Sequence, residues 1–167
     1  MIKNVYQKYC NDIQNPALGA AIISIFVNTF NKSSINKEYP SLLMVFVIIP
    51  LILNENYRQL LINSKGNKSS NGILTFLSKI VKKEFTANNL HHYVEIFKSY
   101  TLTSIVFAIN TGLIKIDSKN GTILPFSEKI EKFPVDNLYL KAAKILGDYF
   151  SNGITLKLLQ QKLEVLF

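Results

Sequence analysis

The run Leu42-Leu-Met-Val-Phe-Val-Ile-Ile-Pro-Leu-Ile-Leu53 constrains this chain more than any other feature. None of its side chains is polar, so a helix built from it has no face to turn to water and must be surrounded on most sides. The run is shorter than the roughly 20 residues that cross a bilayer, and Pro50 stands near its end. A buried helix at the centre of one domain, residues 1–167, is therefore expected, with no membrane partner. The apolar segment Ala17 to Phe30 is short in the same way.

The flanking residues set the order of elements. Asn15-Pro16 reads as a helix start, an Asx cap followed by proline at the first helical position, where its missing N–H costs nothing. That helix should run to about Phe30, with Leu18, Ile22, Ile25, Phe26 and Phe30 near one face and Gly19, Ala20 and Ala21 allowing close approach by another helix. A polar loop, Asn31 to Pro40, leads to the apolar run. Asn54 can cap a short amphipathic helix from Glu55 to Ile62, and Asn63 to Gly72 (NSKGNKSSNG) reads as a flexible, protease-sensitive loop.

Ile73 to Phe85 should form a surface helix with apolar residues at 73, 74, 77, 80 and 81 and a basic face of Lys79, Lys82 and Lys83. Asn88 or Asn89 caps the next helix, which continues through Val94, Phe97, Leu102, Val106 and Ile109 until Gly112 ends it. The period then changes. Leu113 to Ile116, the turn Asp117-Ser-Lys-Asn-Gly121 and Thr122 to Pro125 read as a β-hairpin. After the break at Pro134, Leu138 to Phe150 and Thr155 to Leu166 return to helix. The fold class expected is mostly α with one small β-hairpin (α+β), with a winged-helix-like portion formed by helices and a two-stranded wing carrying Lys115 and Lys119.

The net charge is +8, from 19 Lys and Arg against 11 Asp and Glu. Eight lysines fall between Lys65 and Lys119, against Glu84, Glu95 and Asp117. Two readings stand: a surface for polyanions, with Lys79, Lys82, Lys83, Lys115 and Lys119 as candidate contacts to the backbone of double-stranded DNA, or lysines that keep an apolar protein soluble. Arg58 is the single arginine, and arginine is the side chain that reads guanine edges bidentately, so any nucleic-acid contact should be to backbone.

Groups able to do chemistry are sparse. His91 and His92 are the only histidines, and neighbours on a helix point about 100° apart, so they share no ligand easily. With Cys10 the lone cysteine, neither an internal disulfide nor a zinc pattern is available. Gly66-Asn-Lys-Ser69 lacks the first glycine and the Gly-Lys step of a phosphate loop. Carboxylates are scattered; Glu128 and Glu131 each have a lysine beside them, as solvated faces do. No catalytic residue, no metal and no cofactor is expected, and the chain should not be an enzyme. The first sixteen residues contain Lys3 and Lys8 where a signal core would be apolar, so a reducing cytoplasm is the expected compartment.

Three stretches taken in order resemble one family. They are Asn15-Pro-Ala-Leu-Gly-Ala20 running into its helix, Pro40 to Asn54 continuing into Glu55-Asn-Tyr-Arg-Gln-Leu60, and Lys141-Ala-Ala-Lys-Ile-Leu-Gly-Asp-Tyr-Phe150. Together they are similar to the middle component of bacterial three-component ABC-ATPase conflict systems, which include Lamassu-type anti-phage defence. The tail, Leu159 to Phe167, departs from the family's Leu-Gly-Val ending. The resemblance implies a non-catalytic subunit between an SMC-like ABC ATPase, which senses unusual DNA, and a separate effector, often a nuclease. It also implies that Asn15, Pro16, Gly19, Pro50, Gly147 and Phe150 are motif residues, serving either helix packing or a partner interface. A stand-alone winged-helix DNA-binding regulator is the alternative.

Overall fold

The computed structural model describes residues 15–64, 76, 78, 87–126, 138–152 and 156–163. They form six named helices and one hairpin: α1 (Pro16–Ser33), α2 (Leu42–Leu53), α3 (Glu55–Asn63), α4 (Ala87–Asn110), β1 (Ile114–Asp117), β2 (Thr122–Pro125), α5 (Leu138–Phe150) and α6 (Leu156–Leu163). The architecture is mostly α with a small antiparallel hairpin, as the sequence pattern implies.

Asn15 caps α1: its Oδ1 accepts from Ala17 N at 3.1 Å and Leu18 N at 3.3 Å. The helix passes the expected end at Phe30 and closes at Ser33, where Ser34 N donates to Phe30 O. The extra turn is tied down from outside, because Ser33 Oγ donates to Asp148 on α5 at 2.5 Å. Both α4 and α5 pack on α1.

The apolar run becomes α2, with nine of its twelve residues buried. Pro50 lies in its last turn and is itself buried; a proline there removes one helical hydrogen bond close to where the ladder ends anyway. Asn54 then serves two helices. Its N–H donates to Pro50 O, closing α2, while its Oδ1 accepts from Asn56 N and Tyr57 N, opening α3 after a 92° bend. Arg58, one turn into α3 and 5% exposed, donates through Nη1 to Ile52 O at 2.9 Å and Leu53 O at 3.1 Å. Its guanidinium also lies 4.4 Å from the centre of the Tyr139 ring. A cation at a helix C-terminus satisfies carbonyls that lack helical donors. The single arginine is thus committed to the core, away from any base edge. Among the described residues no single helix is long and apolar enough to cross a membrane.

Helix α4 is described from Ala87, so Asn88 and Asn89, each expected as a cap, both lie within it. Its C-terminus closes as the glycine at position 112 predicts: Gly112 has φ +66°, Gly112 N donates to Ile109 O, and Leu113 N reaches back to Ala108 O. The chain then enters the hairpin, where Ile116 pairs with Ile123 and Asp117 with Thr122. Strand β1 starts one residue later than the expected Leu113. The hairpin is anchored to the start of α2 through a bridge between Ser41 and Thr122, with Leu42 N donating to Gly121 O and Ile123 N to Pro40 O.

The expected loop from 63 to 72 is described only at Asn63, which ends α3, and Ser64, which follows it; the remainder lies outside the described residues. Of the expected helix from 73 to 85, Phe76 and Ser78 are described, both helical. Phe76, absent from the apolar positions of that expected face, is fully buried.

Candidate interaction surface

The long helix α4 has two faces of opposite construction. Its inward row is Leu90, Val94, Phe97, Thr101, Ser104, Ile105 and Ala108, all buried. The row becomes small in its second half because α1 crosses there at Gly19. A Cβ at Gly19 would stand 2.1 Å from Ser104 Oγ and 2.7 Å from Ser104 Cβ, so the crossing requires glycine on one side and a small residue on the other. Apart from Ile105, the bulky apolar residues of that half point outward instead: Leu102 is 49%, Val106 55% and Ile109 39% exposed. The sequence pattern joins these three to Val94 and Phe97 as one helix, and one helix it is. Continuing the Val94/Phe97 row at the helical repeat leads to Thr101, Ser104 and Ala108, however, and not to Leu102, Val106 and Ile109.

Ile96 and Phe107, also exposed, flank the outward row on its other side. No charged residue occurs from Ser99 to Ile114. Past the end of α4, Phe126 is also 63% exposed; its N–H donates to Leu113 O and its ring lies against Gly112. Several exposed large apolar side chains on one helix make a candidate interaction surface. The signal that could have found it is the sixteen-residue uncharged stretch, too apolar on both sides for a helix with only one buried face.

The hairpin carries two of the candidate lysines. Lys115 on β1 is exposed, with its Nζ 5.9 Å from the centre of the Phe126 ring. Lys119 is exposed at the hairpin turn, and its backbone N–H donates to Asp117 Oδ1 at 3.0 Å. Asn120 Nδ2 donates to Asp117 Oδ2 at 2.7 Å, and these bonds, the Asn120 side chain first and the Lys119 N–H second, hold the Asp117 carboxyl below its usual range. Lys98 pairs with Glu95 at 3.7 Å. Lys79, Lys82 and Lys83 lie outside the described residues.

The motif residues are found at helix caps and crossings. Asn15 is the α1 cap, and its carbonyl also accepts from Tyr100 OH on α4 at 2.9 Å. Pro16 is the first residue of α1. Gly147 is buried at the crossing of α5 with α1, where a Cβ would stand 2.8 Å from Thr29 Cβ and 2.9 Å from the Phe26 carbonyl oxygen. Phe150 meets Phe26 edge to face, with ring centres 5.9 Å apart.

Beside that crossing a cleft of about 290 Å³ is lined by Asn28, Thr29, Lys32, Ser33, Lys144 and Asp148. Asp148 is its only carboxylate and no histidine reaches it, so the cleft offers no paired acid and base. Among the described residues no group of three or more His, Cys, Asp or Glu is placed to hold a metal. The Tyr57 hydroxyl is pushed up to about 12 by burial and, secondarily, by Tyr93, so it stays neutral at ordinary pH.

The family model described as ABC-three component (ABC-3C) system Middle Component 3 matches residues 4–165. The chain belongs to this family. No curated protein and no solved structure matches it. A middle component of a three-component system has partner subunits.

Proposed function

We propose that this middle component is a non-catalytic adaptor of a Lamassu-type anti-phage defence complex in the cytoplasm. It docks on an SMC-like ABC ATPase and holds an effector, a nuclease by class, inactive until engagement of DNA changes the assembly. The observation that carries the reading is the outward face of α4. A single chain with no further subunit would leave Leu102, Val106, Ile109 and Phe126 in water, whereas an interface burying roughly 800 Å² on this side would cover them. Co-expression with the ATPase and effector subunits followed by size exclusion tests the reading: the three chains co-elute, and elution of this chain always alone contradicts it.

A second reading is a winged-helix DNA-binding regulator. It is favoured by the order of helix α1, a bridging segment at Ser41, further helices, and a hairpin directly after α4. The helix leading into the hairpin weighs against it, because its outward row is apolar where a phosphate-contacting helix needs lysines. Backbone contact by Lys79, Lys82, Lys83, Lys115 and Lys119 predicts DNA affinity that falls steeply with salt and is lost when these lysines become glutamate. Binding that ignores both changes eliminates this reading.

A further inference from the structure

We infer that the cleft between α1 and α5 binds a small ligand carrying a phosphate group, held by the Lys144 ammonium, the Asn28 amide and the Thr29 hydroxyl. The cleft uses none of the residues of the outward α4 face and does not depend on the adaptor reading.

Its walls come from two helices. Asn28, Thr29, Lys32 and Ser33 belong to α1, and Lys144 and Asp148 to α5. At about 290 Å³ the cleft is close to the lower bound of small-ligand sites, roughly 300–1,000 Å³.

The fold uses some of these polar groups and leaves others idle. Asp148 is engaged: its Oδ1 accepts from Ser33 Oγ, and its backbone carbonyl accepts from Ser151 Oγ and Asn152 Nδ2. Lys144 stands one turn before Asp148, the spacing at which opposite charges on a helix meet, yet among the described residues it makes no ion pair. Thr101, Thr103 and Thr111 each return their hydroxyl to the carbonyl four residues back. Thr29 does not, and neither its hydroxyl nor the Asn28 amide has a hydrogen-bond partner among the described residues. Three polar side chains that the fold leaves unpaired therefore line one cleft.

Their chemistry selects an acceptor-rich anion. An ammonium only donates, and the amide and hydroxyl can both donate. Lys32 and Lys144 against Asp148 leave the lining net positive, which disfavours a cation. Three separate donors suit the three acceptor oxygens of a phosphate monoester better than the two of a carboxylate, through charge-assisted bonds. Ile25 offers the body of the ligand an apolar wall. An occupant touching both helices would tie α1 to α5 beside their Gly147 crossing, and so stabilise the folded chain by mass action.

The test titrates the full chain with inorganic phosphate at constant ionic strength, following the melting temperature and the side-chain amide resonances of Asn28. A saturable shift of those resonances and a rise in melting temperature are expected, with acetate binding less tightly. Lys144 is exposed, so Lys144→Met should leave the ligand-free melt unchanged and weaken phosphate binding by about tenfold or more. Thr29→Val, which keeps the shape and removes the hydroxyl, should weaken it by about threefold. Asp148→Asn, whose amide oxygen can still accept from Ser33, removes the opposing charge and should tighten it, an effect that a purely structural role does not predict. Shifts that fail to saturate, that sodium chloride alone reproduces, or that persist in Lys144→Met overturn the proposal, as does acetate binding as tightly as phosphate or weaker binding in Asp148→Asn. A free chain that ignores phosphate while Lys144→Glu detaches a subunit from the co-expressed complex overturns it too, since the cleft would then hold a partner's carboxylate.

Discussion

Two uncharged stretches of this chain, Leu42–Leu53 in α2 and Ser99 to Ile114 at the end of α4, are treated differently by the fold. Helix α2 is covered by the chain itself: Val45, Val47, Ile48, Ile49, Leu51 and Ile52 are all inaccessible. The second half of α4 is covered on one side only, by Ile105 and the small residues Thr101, Ser104 and Ala108, while Leu102, Val106 and Phe107 face out. Apolar composition alone therefore does not distinguish a core helix from an interface helix. What distinguishes them is which row faces a neighbour, and in α4 the glycine of α1 decides it by admitting only small residues at the crossing.

The largest expected contrast comes from placing the same charge in each stretch. Ile49→Asp puts an unpaired carboxylate into a fully buried site and should abolish folding, a loss of several kcal/mol seen by circular dichroism. Val106→Asp should leave stability within about 0.5 kcal/mol, because the site is solvated. Equal destabilisation by the two would erase the distinction. Next in size, Arg58→Ala leaves the Ile52 and Leu53 carbonyls at the bent end of α2 without their donor, and should cost about 1–3 kcal/mol in a urea titration.

Gly147→Ala sharpens the comparison from the other side of α1. The added methyl would press on the Phe26 carbonyl, which is backbone and cannot rotate away, so overpacking should outweigh the gain in helix propensity by about 1 kcal/mol. No change in melting temperature would mean that the crossing is looser than the distances indicate. The smallest effect is a pH dependence. The raised Tyr57 pKa means that its contribution to stability is full below about pH 10, where the hydroxyl is neutral in both states, and falls as pH rises through the folded value of about 12. Tyr57→Phe should make alkaline unfolding shallower, and an identical profile would contradict the burial argument.

How much of this was legible follows from the range of each signal. The Asn15-Pro16 start, the covered α2, the Asn54 cap and the hairpin around Gly121 were readable because each depends on residues within a few positions. The extension of α1 to Ser33 was not, because it is fixed by Asp148, distant in sequence. The candidate surface was half legible. Its residues Leu102, Val106 and Ile109 appeared in the helical pattern, but their outward direction depends on the Gly19–Ser104 crossing between two separate helices. Lys115 and Lys119 were correctly placed on an exposed hairpin, whereas Phe126 beside them was missed because a single aromatic after a strand has no pattern of its own.

The most direct test of the central claim, that the outward row of α4 meets a partner subunit, is site-specific photo-crosslinking in the co-expressed three-component complex. A photoreactive residue at position 106 should form a covalent adduct with one partner subunit, while one at the exposed loop position Asn36 should not. An intact complex in which position 106 yields no adduct would contradict the account.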